Sequence, residues 1–179
     1  MQESNEGNTT PLRRTIIALH RTAYRCAYTV LRGYWFVVRP RVTGAVCLLI
    51  HDQLVLLIRN TYGRAGWTFP GGMLGRRESP QLGVQREVQE EVGITLTMVQ
   101  HLGQFTGRQA HRRDTVHVFL ASVPNTTVQL DPGEILDARW YPLDALPPLS
   151  TYAQRAMQVW QGSFSLDSGI EPLTKEDRP

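Results

Sequence analysis

The stretch that decides the fold is "GGMLGRRESPQLGVQREVQEEVGI", residues 71–94. Its second half places three glutamates, Glu87, Glu90 and Glu91, within five positions, so that their carboxylates crowd about one turn of a helix. Carboxylates three or four residues apart on a helix repel one another, by about 0.2–0.5 kcal/mol per pair. Three kinds of partner could compensate for this repulsion: solvent, a basic side chain such as Arg86, or a divalent cation.

The residues around this cluster predict a helix over 79–92. Ser79 is suited to the N-cap, and Gly93 is suited to end the helix in the left-handed conformation. Val84 and Val88 lie one turn apart and predict the face that packs on a sheet. The glutamates then share another face, where hard carboxylate ligands without His or Cys favour Mg²⁺ or Mn²⁺ over zinc. The alternative is a solvated acidic face.

Composition predicts one globular domain, with 41% hydrophobic and 20% charged residues in a chain of 179. The formal net charge is +3, which is too small to predict binding to nucleic acid. The charge is uneven, because residues 1–51 carry seven arginines against two glutamates, a net of +5, and the remainder has a net of −2. The basic excess therefore precedes the glutamate cluster.

The basic N-terminal segment has a helical period over residues 12–34. Arginines spaced 7, 4 and 7 residues apart predict one stripe: Arg14, Arg21, Arg25 and Arg32. Apolar residues predict the opposite face: Leu12, Ile16, Leu19, Ala23, Ala27, Val30 and Tyr34. We favour a helix packed on the domain with a solvated Arg face. An arm that forms a homodimer and a helix on an anionic membrane surface stay open, the membrane being the less expected partner.

Two cysteines, Cys26 and Cys47, lie in apolar surroundings and predict buried free thiols of a reducing, cytoplasmic compartment. The polar start lacks the apolar segment of a signal peptide, and a run long enough to span a membrane is lacking. We expect three regions: a tail and basic helix at 1–38, a catalytic domain at 39–165, and a flexible C-terminal tail at 166–179.

The rest of the chain alternates strands and helices. Two leucine-rich runs in residues 42–60 predict a buried hairpin, and the last helix is expected over 148–162. Further strands are predicted within 94–107, 115–123, 126–130 and 138–142. This order of elements favours an α/β fold, a sandwich with a mixed sheet between helices.

Residues 72–94 resemble the Nudix box, the loop–helix–loop motif of the Nudix hydrolase family. The matching positions are Gly72, Glu78, Arg86, Glu87, Val88, Glu90, Glu91, Gly93 and Ile94. The segments "GWTFPGG" and "ARWYPLDALP" are similar to the family's flanking regions, so that the resemblance covers about residues 42–150. It implies an α/β/α sandwich that hydrolyses, with Mg²⁺ or alternatively Mn²⁺, a nucleoside diphosphate linked to another group.

The resemblance also implies roles for single residues. The metal ligands would be Gly71, through its carbonyl, with Glu87, Glu90 and Glu91. The catalytic set would be Glu78, Arg86, Glu87, Glu90 and Glu134. Within it, Arg86 would orient the glutamates, and Glu78 would reach the metal indirectly or through water. Glu134 lies outside the box, before the last strand, and is our candidate base; the alternative is a polar residue that caps a turn.

Selection of the substrate depends on residues outside the motif. We expect Arg108, Arg112 and Arg113, with His111, to form a loop that holds further phosphates, unless this loop is a solvated turn. Tyr62 or Trp67 would stack on a base, unless the aromatic ring packs in the core. The expected substrate is a nucleotide-type small molecule, by default a nucleoside triphosphate or a sugar nucleotide. The alternative function is a non-catalytic Nudix-fold module that senses nucleotides.

Overall fold

The computed structural model of the protein describes residues 11–38, 41–61, 66–109 and 112–167. The helices are α1 (Pro11–Val38), α2 (Pro80–Val92) and α3 (Thr151–Asp167). The strands are β1 (Arg41–His51), β2 (Leu54–Asn60), β3 (Gly71–Met73), β4 (Gln100–Gln109), β5 (Arg112–Ser122) and β6 (Ile135–Pro142). The predicted tail at 1–10, and 168–179 of the C-terminal tail, lie outside the described residues, whereas positions 166 and 167 still belong to α3.

Within the described residues, six strands form one mixed sheet in the order β4-β5-β1-β2-β6, and β3 also pairs with β1. The β1–β5 pair is parallel and every other pair is antiparallel. Because β3 lies against the middle of β1, the glycines that precede the loop to α2 are fixed on the sheet. The mixed sheet predicted from the order of elements is therefore present.

The hairpin predicted in residues 42–60 is present as β1 and β2. His51 pairs with Leu54, which leaves a two-residue turn in which Asp52 has a φ of 53°. Two-residue hairpin turns need such positive φ values, and Asp tolerates them better than most residues. The leucines of both strands, such as Leu48 and Leu57, are fully buried.

Alternating side chains on these strands build two cores, one on each face of the sheet. On one face α2 buries Val84, Val88 and Val92 against β1 and β2. On the other face α3 buries Ala153 and Ala156. The sheet is thus covered by a helix on both sides, which makes the α/β/α sandwich.

The caps of α2 follow the sequence prediction. Ser79 has an extended backbone, and its hydroxyl accepts a hydrogen bond from the Leu82 N–H at 3.3 Å. Gly93 is left-handed, with a φ of 71°. These two signals set the start and the end of the helix that carries the glutamate cluster.

One strand prediction began too early in the chain, and another was wrong. Residues 94–99 precede β4 without strand structure, and residues 126–130 form no strand. The second segment runs past the C-terminal end of α2, where the Gln129 N–H donates to the Val92 carbonyl and the Asp131 N–H to the Glu91 carbonyl. The segment alternates as a strand does, but its backbone donors satisfy the end of a helix.

One cysteine prediction was also wrong. Cys47 is buried in β1, where desolvation raises the pKa of its thiol, but Cys26 is exposed on α1. The reason is that α1 contributes no residue to either described core cluster, so an apolar neighbourhood in its sequence does not imply burial. None of the helices in the described part of the chain is both long and apolar enough to cross a membrane.

Candidate active site

The site begins at Gly71, where β3 meets β1. Gly71 has a φ of 141°, and a Cβ there would lie 2.2 Å from the Ala45 carbonyl oxygen, so only glycine fits. Its N–H donates to Glu91 Oε2 at 2.7 Å. At Gly72 the reason for glycine is space, because an added Cβ would lie 2.5 Å from the Glu87 carboxylate. Of these two glycines, only Gly71 has a positive φ.

Arg86 ties the loop before α2 to the glutamates on α2. Its Nε and Nη2 donate to the two oxygens of Glu78, at 2.9 and 3.0 Å. Its Nη1 lies 2.9 Å from Glu87 Oε1 and 2.9 Å from Glu90 Oε2. Glu78 also accepts the Gly75 N–H at 2.6 Å. One guanidinium thus fixes three carboxylates, and two of them, Glu87 and Glu90, belong to the group of glutamates whose repulsion the sequence predicted.

The remaining glutamate is buried. Glu91 is 2% exposed, and desolvation raises its pKa well above the usual value, opposed by the Gly71 N–H and reinforced by nearby carboxylates. Desolvation also raises the pKa of Glu87, opposed by Arg86 and reinforced by Glu90 and Glu134. Glu78 is the opposite case, because hydrogen bonds from Arg86 and Gly75 lower its pKa to about 2. The positive charge near Glu87 and Glu91 therefore does not compensate for the burial and mutual repulsion of their carboxylates.

Glu134, predicted from its place before the last strand, lies beside this cluster. It lines the same cleft and adds negative charge that acts on Glu87 and Glu91. Its loop is fixed to the end of β2, because the Thr61 N–H donates to the Glu134 carbonyl at 2.8 Å and the Thr61 hydroxyl to the Gly133 carbonyl at 2.7 Å. The fold thus brings together carboxylates 43 positions apart in the sequence.

The cleft that these residues line has a volume of about 730 Å³. Several of its lining residues were not predicted from the sequence as site residues: Ala27, Leu31, Asn60, Asp114 and Tyr152. Tyr152 packs against the α3-side core, and its hydroxyl donates to the buried Asp114 carboxylate at 2.7 Å. An aspartate inside an apolar strand was the available signal for this pair.

The family model of the NUDIX domain matches residues 39–160, more than half of the chain. The chain belongs to the NUDIX family. The NAD-capped RNA hydrolase NudC of Escherichia coli O157:H7 is 32% identical over 125 residues, which are 66% of this chain and 48% of that protein. The chain thus spans about half the length of the curated relatives that it matches.

Solved structures show the same fold. A MutT NUDIX hydrolase from Burkholderia pseudomallei superposes with a TM-score of 0.61 and 26% identity, covering 66% of this chain and 96% of that one. A MutT protein from Methanosarcina mazei Go1 gives a TM-score of 0.62 and 24% identity, covering 74% of this chain and 99% of that one. The NUDIX-type sandwich expected from the sequence is confirmed.

The donors in this NUDIX site fit a hard divalent cation. They are carboxylate oxygens close to the main chain of Gly71, without His or Cys, and their mutual repulsion would be relieved by positive charge. Among the described residues, no three His, Cys, Asp or Glu side chains are already arranged around one metal position. Arg86 instead holds Glu87 and Glu90. A cation would therefore need these two side chains to turn from the guanidinium.

The predicted substrate residues are only partly described. Tyr62 and His111 lie outside the described residues. Arg108 is the next-to-last residue of β4 and Arg112 is the first residue of β5, and Arg108 pairs with Arg113 across the two strands. These arginines therefore stand on paired strand ends, whereas the sequence had suggested a loop.

Trp67 packs as a structural residue. Its ring meets the Tyr141 ring edge-on at 5.1 Å, and it lies against the α3-side core. The guanidinium groups of Arg59 and Arg139 lie 5.7 and 5.9 Å from its centroid. Of the two interpretations of Trp67, packing is the one that these contacts favour.

Proposed function

We propose that the protein is a divalent-metal-dependent hydrolase that cleaves a pyrophosphate bond in a nucleoside diphosphate linked to another group. The observation that carries the proposal is the fixed acidic cluster, in which Arg86 holds three glutamates along a cleft of about 730 Å³. A cleft of this volume is in the usual range for small-molecule sites. NUDIX membership and a relative named as a hydrolase support the proposal.

Glu87, Glu90 and Glu91, with the Gly71 carbonyl, are the proposed metal ligands, and Mg²⁺ is the expected ion with Mn²⁺ as a substitute. When bound, such an ion neutralises phosphate oxygens and lowers the pKa of a coordinated water. The chain itself supplies orientation. Gly71 fixes the Glu91 carboxylate through its N–H, and Arg86 fixes the other two through one guanidinium nitrogen.

Glu78 is proposed to act through Arg86. Its bidentate contact with Nε and Nη2 uses one edge of the guanidinium and leaves Nη1 for Glu87 and Glu90. Glu78 would therefore set the angle from which the ligands are held. A lysine in place of Arg86 could not serve these three carboxylates at once, since an ammonium group has no planar fork.

Glu134 is the proposed general base. It faces the same cleft as the cluster from a loop fixed by Thr61. The water oxygen would form a bond to one phosphorus as that phosphorus–bridging oxygen bond breaks. The water's proton would pass to the Glu134 carboxylate, and the leaving phosphate would take the electron pair of the broken bond.

The test is a substrate panel with Mg²⁺: nucleoside triphosphates, ADP-ribose, NAD, dinucleoside polyphosphates and sugar nucleotides, scored for phosphate-containing products. We expect hydrolysis of at least one, and a loss of more than about 100-fold in Glu90→Gln. Glu90 suits this test because its side chain is 59% exposed. Arg76→Lys is the control, because Arg76 is exposed in the loop before α2.

The panel also separates the proposal from its alternative. Nucleotide binding without hydrolysis of any substrate would contradict an enzyme and favour a sensing module. For the choice among substrates, we propose that Arg108, Arg112 and Arg113 hold phosphate or the terminal group. Replacing Arg112 with Ala should then raise KM for triphosphates more than for sugar nucleotides. If Arg112→Ala changes KM by the same factor for triphosphates and for sugar nucleotides, the result would contradict a role of these arginines in the choice of substrate.

A further inference from the structure

The lining of the cleft contains two chemically different groups of side chains. One group is charged and includes Arg86 and the glutamates of α2. The other group is apolar and includes Leu31, Val42 and Val116. A ligand whose phosphate is bound by the charged group leaves the apolar group for contact with the rest of the ligand.

Part of the apolar lining comes from α1. Ala27 and Leu31 line the cleft and lie one helical turn apart, so they are on the same side of the helix. The family model matches the chain from residue 39 onward, so α1 lies outside the matched segment. The contribution of α1 to the cleft is therefore additional to the part of the fold that the family model covers.

We propose that α1 forms a wall of the substrate site and contacts the nucleobase of the substrate through Ala27 and Leu31. The inference rests on the proposed function and narrows the substrate to one with a planar, largely apolar group next to its diphosphate. Methyl and isobutyl groups offer van der Waals contact and no hydrogen bonds, which suits the face of a base and not a phosphate or a sugar hydroxyl.

The test uses the full chain and two tryptophan variants on the same helix. Ala27→Trp would place a bulky ring in the cleft next to Leu31, and we expect KM for the best nucleotide in the panel to rise about tenfold or more, with kcat little changed. Val30→Trp is the matched control, because Val30 is 74% exposed and does not line the cleft. Binding of ADP by calorimetry should weaken in the same order as KM rises.

A second variant protects the test against a displaced helix. Leu31→Ala removes contact without adding bulk and should also raise KM for the nucleotide. Phosphoribosyl pyrophosphate, which has a diphosphate but no base, should be bound equally by Leu31→Ala and the wild type. Wild-type KM and ADP affinity in both Ala27→Trp and Leu31→Ala would overturn the wall while leaving the hydrolase proposal intact. A wild type that cleaves nothing in the panel would instead overturn the hydrolase.

Discussion

At the scale of single residues, Arg86 offsets the repulsion between two of the three glutamates on one turn, Glu87 and Glu90, and also binds Glu78. Its Nε and Nη2 face Glu78, and its Nη1 serves both Glu87 and Glu90. The resemblance to the Nudix box implied this orienting role. It did not predict that Glu91 is buried and held by the Gly71 N–H, since that contact joins residues 20 positions apart.

Replacing Arg86 with Lys should lower kcat/KM by about 10- to 100-fold, because the ammonium cannot keep three carboxylates in place. The fold should survive, since the side chain is 37% exposed. Steady-state kinetics with circular dichroism would check both statements. Wild-type kinetics in a folded Arg86→Lys would contradict the orienting role.

Gly71 and Gly72 separate a structural requirement from a functional one. Gly71→Ala forces a Cβ against the Ala45 backbone at a positive φ, so we expect a loss of at least about 2 kcal/mol in the free energy of unfolding. Gly72→Ala meets only the end of the Glu87 side chain, which can move. Its stability should change by less than about 1 kcal/mol while turnover falls, because a proposed ligand is displaced.

Chemical denaturation of the two variants would measure the change in the free energy of unfolding, and steady-state kinetics would measure their turnover. A Gly72→Ala protein with wild-type turnover would show that the position of Glu87 is not important for activity.

At the scale of elements, the caps made α2 predictable and tertiary contacts made other segments unpredictable. Ser79 and Gly93 are local signals, and both act as expected. Residues 126–130 alternate like a strand, but the carboxyl end of α2 offers free carbonyls that their backbone binds instead. Likewise Tyr152 has the spacing of a core residue, yet its hydroxyl is fixed by Asp114, 38 positions away. Local patterns do not report such distant partners.

The β4–β5 pair sets His101 beside His117, with Nε2 of the first 3.2 Å from Nδ1 of the second. Burial, and secondly repulsion from His101, lower the pKa of His117 below the usual 6.5. Between this lowered pKa and about 6.5 the folded protein binds fewer protons than the unfolded chain, so stability is lost as pH falls through the window. His117→Gln should weaken this loss.

Urea unfolding midpoints at about pH 7.5 and about pH 5 would measure the effect. His101→Gln should reduce the pH dependence only in part, because it removes the repulsion from His101 but leaves the burial of His117. Equal pH dependence in the wild type and His117→Gln would contradict the assignment.

At the scale of the whole molecule, the sandwich and the helical arm differ in what holds them. The two core clusters are built from the sheet, α2 and α3, and neither contains a described residue of α1. The sandwich was predictable because the motif and the strand periods agree with each other. The position of α1 beside the cleft was not predictable, because an amphipathic pattern shows which face of a helix is apolar but not what that face packs against.

Removing residues 1–38 should therefore leave the melting temperature within a few degrees of the wild type while KM for nucleotides rises. Differential scanning calorimetry and kinetics would show whether these two quantities separate. A truncated chain that fails to fold would mean that the arm is part of the core.

The central claim is that the glutamates of α2 bind a divalent cation in the cleft. The most direct measurement is anomalous diffraction from a crystal soaked in Mn²⁺ and a nucleoside diphosphate. We predict a peak about 2.1 Å from carboxylate oxygens of Glu87, Glu90 and Glu91, with Arg86 released from the first two. A peak elsewhere, with Arg86 still bound to both glutamates, would contradict the account.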